Sequence, residues 1–191
     1  IDVPGRHVRA RPARAGASAG DLSRVAIGLV RAPSMAEVEP MQPNEPVTLA
    51  DLRPGQQFET GSLVLGRDEL VAFAAAFDPQ PMHLDEVAAG RTRFGRLIAS
   101  GWQVAALTMR LMVEARPFGT TPLIGAEVES LRFRRPVLPG TRLRCRATVT
   151  GIEAGARPGQ GYARLAVETL DADSGEVLLV QRWKMLLPDR P

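Results

Sequence analysis

A chain of 191 residues is long enough to bury a core without disulfide or metal staples, and it fits one domain. Hydrophobic residues make up 45% and charged residues 24%, an ordinary globular balance, and no run approaches the roughly 20 apolar residues that a membrane span needs. The pI near 9.9 is a poor pointer to nucleic acid: residues 1–34 carry six arginines against Asp2 and Asp21, while the remainder carries 18 basic and 19 acidic groups.

The body is therefore nearly neutral, and no basic stripe interleaved with aromatics marks a nucleic-acid surface. The single cysteine, Cys145, excludes an internal disulfide and suits a reducing, cytoplasmic setting. Its neighbours Arg144 and Arg146 suggest a strand with the thiol turned inward.

Residues 1–45 form a basic segment of Pro, Gly, Ala and Arg with no sustained period, expected to be disordered. Three origins fit its first 34 residues: upstream sequence ahead of the true start (Met35 and Met41 follow), a disordered tail, or an organelle-targeting peptide. The folded domain is expected over residues 46–188.

Within it, "QQFETGSLVL" reads as a strand entering a turn, with Gly61 and Gly66 as punctuation. "RDELVAFAAAF" reads as a short helix, with Asp68 and Glu69 in its first turn and Leu70, Phe73, Ala74 and Phe77 on one face. Pro79 ends it, because the residue before a proline is pushed out of the helical region. Asp85 then caps a second short helix, "EVAAG".

The strongest helical signal is "SGWQVAALTMRLMVEA", residues 100–115, with Ser100 as N-cap and Pro117 and Gly119 closing the far end. Its expected buried stripe is Trp102, Ala105, Ala106, Met109, Met112 and Val113, widened by Val104, Leu107 and Leu111. Four runs of period-two alternation follow: "LIGAEVESLRFRRPV", "TRLRCRATVTGIEA", "YARLAVETLDA" and "EVLLVQRWKMLL". The turns "LPGT", "GARPGQG" and "DADSG" separate them, the last being a hairpin without the ligand spacing of a calcium loop. Consecutive strands on short loops predict an antiparallel sheet, and the apolar helix needs that sheet as its cover. The fold class is α+β, a curved sheet wrapped on a central helix.

Chemistry concentrates in "FDPQPMHLD", residues 77–85. Asp78 and His83 sit five apart, a spacing that makes neighbours on neither a helix nor a strand. Pro79 and Pro81 restrain four consecutive backbone positions. Fully extended, the run would put the two side chains as much as about 16 Å apart, so a chain that brings both to one water must turn here and hold the turn stiffly. A carboxylate with an imidazole, the side chain that exchanges protons near neutral pH, suits general acid–base work. On spacing alone, a helix-ending turn beside a structural histidine fits as readily. One histidine in the body makes a metal cluster unexpected, and Ser100 serves better as a cap than as a nucleophile.

Three stretches, "FAAAFDPQPMHLDEVAAG", "FGRLIASGW" and "LRFRRPVLPG", resemble in this order the MaoC-like acyl dehydratase family, which includes the (R)-specific enoyl-CoA hydratases. The resemblance spans about residues 46–187. It implies a hot-dog fold, reversible addition of water to a 2-enoyl thioester, and a homodimer. It also implies an acyl-CoA or acyl-carrier-protein thioester as partner, with no cofactor beyond the coenzyme A of the substrate. The family's catalytic aspartate and histidine fall on Asp78 and His83, and the glycine whose amide faces the thioester oxygen falls on Gly101. In this scheme Asp78 helps deprotonate the attacking water, His83 delivers a proton to the α-carbon, and the Gly101 amide meets the charge growing on the oxygen.

Two positions depart from the pattern. Met109 stands where some hydratases carry a supporting serine, and Thr141 stands where Asp more often follows the Pro-Gly. Phe77, Met82, Phe94, Ser100 and Trp102 are expected to contact substrate, and Arg91, Arg93 and Arg96 to meet phosphates of the carrier. The alternatives are a hot-dog thioesterase and a non-catalytic thioester-binding subunit. The first fits less well, since the only acid in the central helix is Glu114, near its far end.

Overall fold

In a computed structural model, which describes residues 45–190, the alternating runs become one five-stranded sheet. Its strands are β1 (Gln57–Val64), β2 (Ile124–Phe133), β3 (Arg142–Ala154), β4 (Gln160–Asp171) and β5 (Val177–Pro188), in the spatial order β1-β3-β4-β5-β2 with every pairing antiparallel. Expectations for residues 1–44 fall outside the described residues. Alternation sets the inner face. Leu143, Cys145, Ala147 and Val149 of β3, Ala163, Leu165 and Val167 of β4, and Leu179, Trp183, Met185 and Leu187 of β5 are all buried.

The order corrects one expectation: β2 and β3 are consecutive in sequence but not neighbours in the sheet. Residues 134–141 connect them, and an extended run of that length reaches about 26 Å, whereas three strand spacings are about 14 Å. The connection is long enough to cross. It leaves β2 through the amides of Arg134 and Arg135, which both donate to the Leu178 carbonyl, and enters β3 through a turn in which Gly140 takes φ +86°. Thr141 serves that turn, its hydroxyl accepting from the Leu138 amide. Gly61 lies inside β1 at a bulge between Glu59 and Ser62 rather than at its end, and the adjacent Thr60 hydroxyl accepts from the Cys145 amide at 2.8 Å.

Helix α4 (Gly101–Ala115) crosses the inner face, beginning at the Ser100 cap, whose hydroxyl accepts from the Trp102 amide at 3.2 Å. Its buried residues are Gln103, Val104, Leu107, Thr108, Leu111 and Met112, whereas Trp102 and Val113 are more than half exposed and Ala106 is exposed. The expected stripe is thus rotated. An almost uniformly apolar helix carries little information about which side faces in. The two polar residues that turn inward do so because they find partners: Gln103 donates to the Glu69 carbonyl, and the Thr108 hydroxyl meets the Val104 carbonyl and the Thr169 hydroxyl. Cys145 lies in this layer, its thiol pushed up to about 11 by burial against hydrogen bonds with Thr169, Thr108 and Thr60. It is a packing residue.

β2 is the edge strand opposite β1. Ile124, Val128 and Phe133 are each at least half exposed, although Val128 pairs with the buried Trp183. The rotated helix face makes an expected outcome: Leu111→Ala costs about 2–5 kcal/mol, while Val113→Ala costs about 0.5 kcal/mol or less. Urea denaturation of the two variants separates the observed face from the expected one.

Candidate active site

Helix α1 (Arg67–Phe77) ends where Asp78 leaves the helical region, its amide still bonded to the Ala74 carbonyl at 2.9 Å. Pro79 forbids another turn. The chain restarts at once as a single helical turn, α2 (Pro81–Leu84), with Pro81 at the first helical position. This turn was not foreseen, although proline at a helix start is its one sequence signal. It folds His83 back over the end of α1. Asp85 then caps α3 (Glu86–Gly90), its carboxylate accepting from the Ala88 amide at 2.7 Å.

The two ends of the motif meet. His83 Nε2 lies 3.4 Å from Asp78 Oδ2. The imidazole is 5% exposed, and its Nδ1 lies 2.9 Å from the Ile98 carbonyl, which can only accept, so Nδ1 carries a proton and Nε2 faces the carboxylate. Both oxygens of Asp78 are held. Ser100 Oγ donates to Oδ2 at 2.6 Å, and Gln80 Nε2 donates to Oδ1 at 2.7 Å. The Ser100 hydroxyl, then the Gln80 amide, and less strongly the neighbouring imidazole hold the Asp78 carboxyl below the ordinary carboxylate range, against partial burial that pushes it up. Asp78 is ionised at neutral pH.

This pair lines a cavity of about 460 Å³, within the range of small-molecule sites. Gly101, the first residue of α4, lines it too. Its amide has no partner in the helix and none among the described residues, and the positive end of a 15-residue helix stands behind it. Met82, Phe94 and Trp102 lie along the wall as expected, and Arg93 is at its rim.

Other expected residues lie elsewhere. Phe77 is 75% exposed and stacks on Phe73 instead of lining the cavity, because the helix-ending turn points Asp78, not its neighbour, inward. Ser100 is fully buried and does not line the cavity; it grips Asp78. Arg91 and Arg96 stand away from the wall. The residues that reasoning from sequence missed include Gln80, Ile98, Phe133, Arg134 and Leu179, the last three from distant segments with no local signal. The Phe133 ring occupies the space that a Cβ on Gly101 would need. Glu114, at the far end of α4, is paired with Arg110 at 2.8 Å and lies outside the cavity. Among the described residues no three His, Cys, Asp or Glu side chains gather closely enough to hold a metal ion, and no helix is long and apolar enough to cross a membrane.

Comparison with known proteins joins this geometry to a family. The MaoC-like domain family matches residues 43–169. An uncharacterized protein, YdeM of Bacillus subtilis, is 40% identical over 89 residues, which is 47% of this chain and 63% of that protein, so the match spans less than two thirds of that relative. The crystal structure of a MaoC-like dehydratase from Rhodospirillum rubrum is 38% identical, covering 76% of this chain and 99% of that one with a TM-score of 0.68. An (R)-hydratase from A. caviae involved in PHA biosynthesis is 29% identical, covering 72% and 98% with a TM-score of 0.58. The five-stranded antiparallel sheet with its long helix is the hot-dog fold, and with the matched residues taking in both the Asp78–His83 bend and the start of α4, this chain belongs to the MaoC-like domain family.

Proposed function

We propose that the protein is a hydratase/dehydratase that adds water reversibly to a 2-enoyl thioester, giving the (R)-3-hydroxyacyl product, with coenzyme A as the carrier. The observation that carries this reading is the 3.4 Å approach of His83 Nε2 to Asp78 Oδ2 on the wall of a cavity that also reaches the free amide of Gly101. A carboxylate and an imidazole this close can share one water.

The hydrogen bonds suggest how protons move. Oδ1 of Asp78 has one donor from the protein, the Gln80 amide, and can accept another, so a water can bind there. Asp78 takes a proton from that water as its oxygen attacks the β-carbon. The electron pair of the double bond moves toward the α-carbon, and charge grows on the thioester oxygen. The Gly101 amide meets that charge, and such a donor is worth about 3–4 kcal/mol in the transition state. Nδ1 of His83 is committed to Ile98, so the proton delivered to the α-carbon comes from Nε2 of the imidazolium. Water is added across the double bond, and transfer from Asp78 to His83 restores the starting state.

Arg93 and Arg134 at the cavity suit phosphates of the carrier. A homodimer fits the free edge of β2, whose apolar residues Ile124, Val128 and Phe133 are exposed, Phe133 lying against exposed Trp102. Val128→Asp is expected to halve the mass measured by light scattering, whereas a parent already monomeric would end the assignment.

Incubation with a short 2-enoyl-CoA tests the central reading. Loss of the conjugated-thioester absorbance without free thiol is the expected result; free thiol would mean hydrolysis, and no change would mean binding alone. Asp78→Asn should lower kcat by about 10²–10⁴-fold with little change in KM, and hydration as fast as the parent's would remove Asp78 from the base role.

The pH profile tests Ser100. The base works ionised, and its folded pKa lies below the ordinary value of about 3.9, so the acid limb of kcat/KM falls below that pH. Ser100→Ala removes the strongest of the bonds that favour the ionised form, so the acid limb should move to higher pH. A profile that stays in place would mean that Ser100 serves the helix alone.

A further inference from the structure

The geometry points to Phe133 as the residue that limits the width of the acyl group at its reacting carbons, an inference that rests on the thioester reading above. Phe133 is the last residue of β2 and pairs with Leu179 of β5. Just past it, the Arg134 and Arg135 amides donate to the Leu178 carbonyl at 2.8 and 3.2 Å. The backbone is tethered, so only side-chain torsions move the ring.

That ring rests on the first residue of α4. A Cβ on Gly101 would lie 2.7 Å from Cδ1 of Phe133 and 2.8 Å from Cζ, and closer still to Cε1. Trp102 meets the ring edge to face, with centroids 6.4 Å apart and planes at 78°. Both rings line the cavity that holds Asp78 and His83, yet Phe133 is 55% and Trp102 62% exposed. Neither fills the core, and both bound the cavity.

An oxygen held by the Gly101 amide lies about 2.9 Å from its nitrogen, and that nitrogen is bonded to the Cα the ring covers. The thioester carbon is one bond of about 1.2 Å from that oxygen, and the α-carbon follows at about 1.5 Å. The ring and the α-carbon therefore share one neighbourhood. A flat, linear enoyl group passes along the ring face. A methyl branch on the α-carbon meets it, and is admitted only if the ring gives up its contacts with Gly101 and Trp102.

Calorimetric titration of the full chain with butanoyl-CoA and 2-methylbutanoyl-CoA tests this, since neither has a double bond and both report binding without turnover. The parent is expected to bind the linear thioester at least about tenfold more tightly, the discrimination one methyl gives in an apolar pocket. Phe133→Ala should bring the ratio close to one by tightening the branched thioester, and Phe133→Leu, which keeps an apolar contact should the alanine variant fold poorly, should give an intermediate value. A parent that does not discriminate, or a ratio unchanged in the variants, overturns the assignment even if enoyl thioesters are hydrated. Discrimination lost in the variants of a protein that hydrates nothing upholds Phe133 and overturns the hydratase reading. Binding of neither thioester to any of the three proteins overturns both.

Discussion

The hydroxyl of Ser100 ties a loop to a helix, and the arrangement of the site hangs on that tie. Its one proton goes to Asp78 Oδ2 at 2.6 Å, and its oxygen accepts from the Trp102 amide, so the same atom starts α4 and anchors the carboxylate 22 residues earlier in the chain. The segment leading to it is equally committed. The Ile98 amide donates to the Met82 carbonyl, the Ile98 carbonyl takes His83 Nδ1, and the Ala99 amide donates to the Val137 carbonyl. Three residues in extended chain thus hold both members of the pair and fasten them to the helix terminus. Neither side chain can shift far without breaking a hydrogen bond, His83 to the Ile98 carbonyl and Asp78 to the Ser100 hydroxyl and the Gln80 amide, and that is the preorganisation acid–base chemistry needs.

The site keeps its negative charge mainly with neutral donors. A hydroxyl and an amide hold Asp78, and among the described residues no arginine lies within ion-pair distance of it. The arginines stay at the rim, while the interior offers a carboxylate, an imidazole and the orphan amide of a helix. This division suits a substrate whose carrier is anionic and whose reacting end is neutral until the transition state.

Much of this was legible in the sequence, and its limits have physical causes. Period-two alternation marked all four strands after α4; in β3, β4 and β5 it reflects one face on the core, whereas β2 has no buried residue. The Asp78–His83 bend announced itself through its prolines. The face of α4 did not, because Trp102, Ala106 and Val113 are as apolar as Val104, Leu107 and Leu111, and the partners that draw Gln103 and Thr108 inward lie 34 and 61 residues away. Phe77 misled for a similar reason: adjacency to Asp78 in sequence says nothing about direction once the helix stops between them. Phe133 and Leu179 lie far from the motif along the chain, and only the crossing from β2 to β3 brings them beside it.

That crossing has a consequence for assembly. The strand beside Phe133 is β5, which follows the other four in sequence, and among the described residues β2 has no other partner in the sheet. On the ribosome, the motif, the helix and even β2 are made long before the wall they complete. The pocket closes only when the 12 residues of β5 thread between β4 and β2, so a nascent chain that lacks them presents β2 with two bare edges. Long-range closure of this kind is slow and exposes strand to neighbours while it waits. The charged side chains Glu127, Glu129 and Arg132 spaced along β2 are the sort of gatekeepers that keep such a strand from pairing with the wrong chain in the interval.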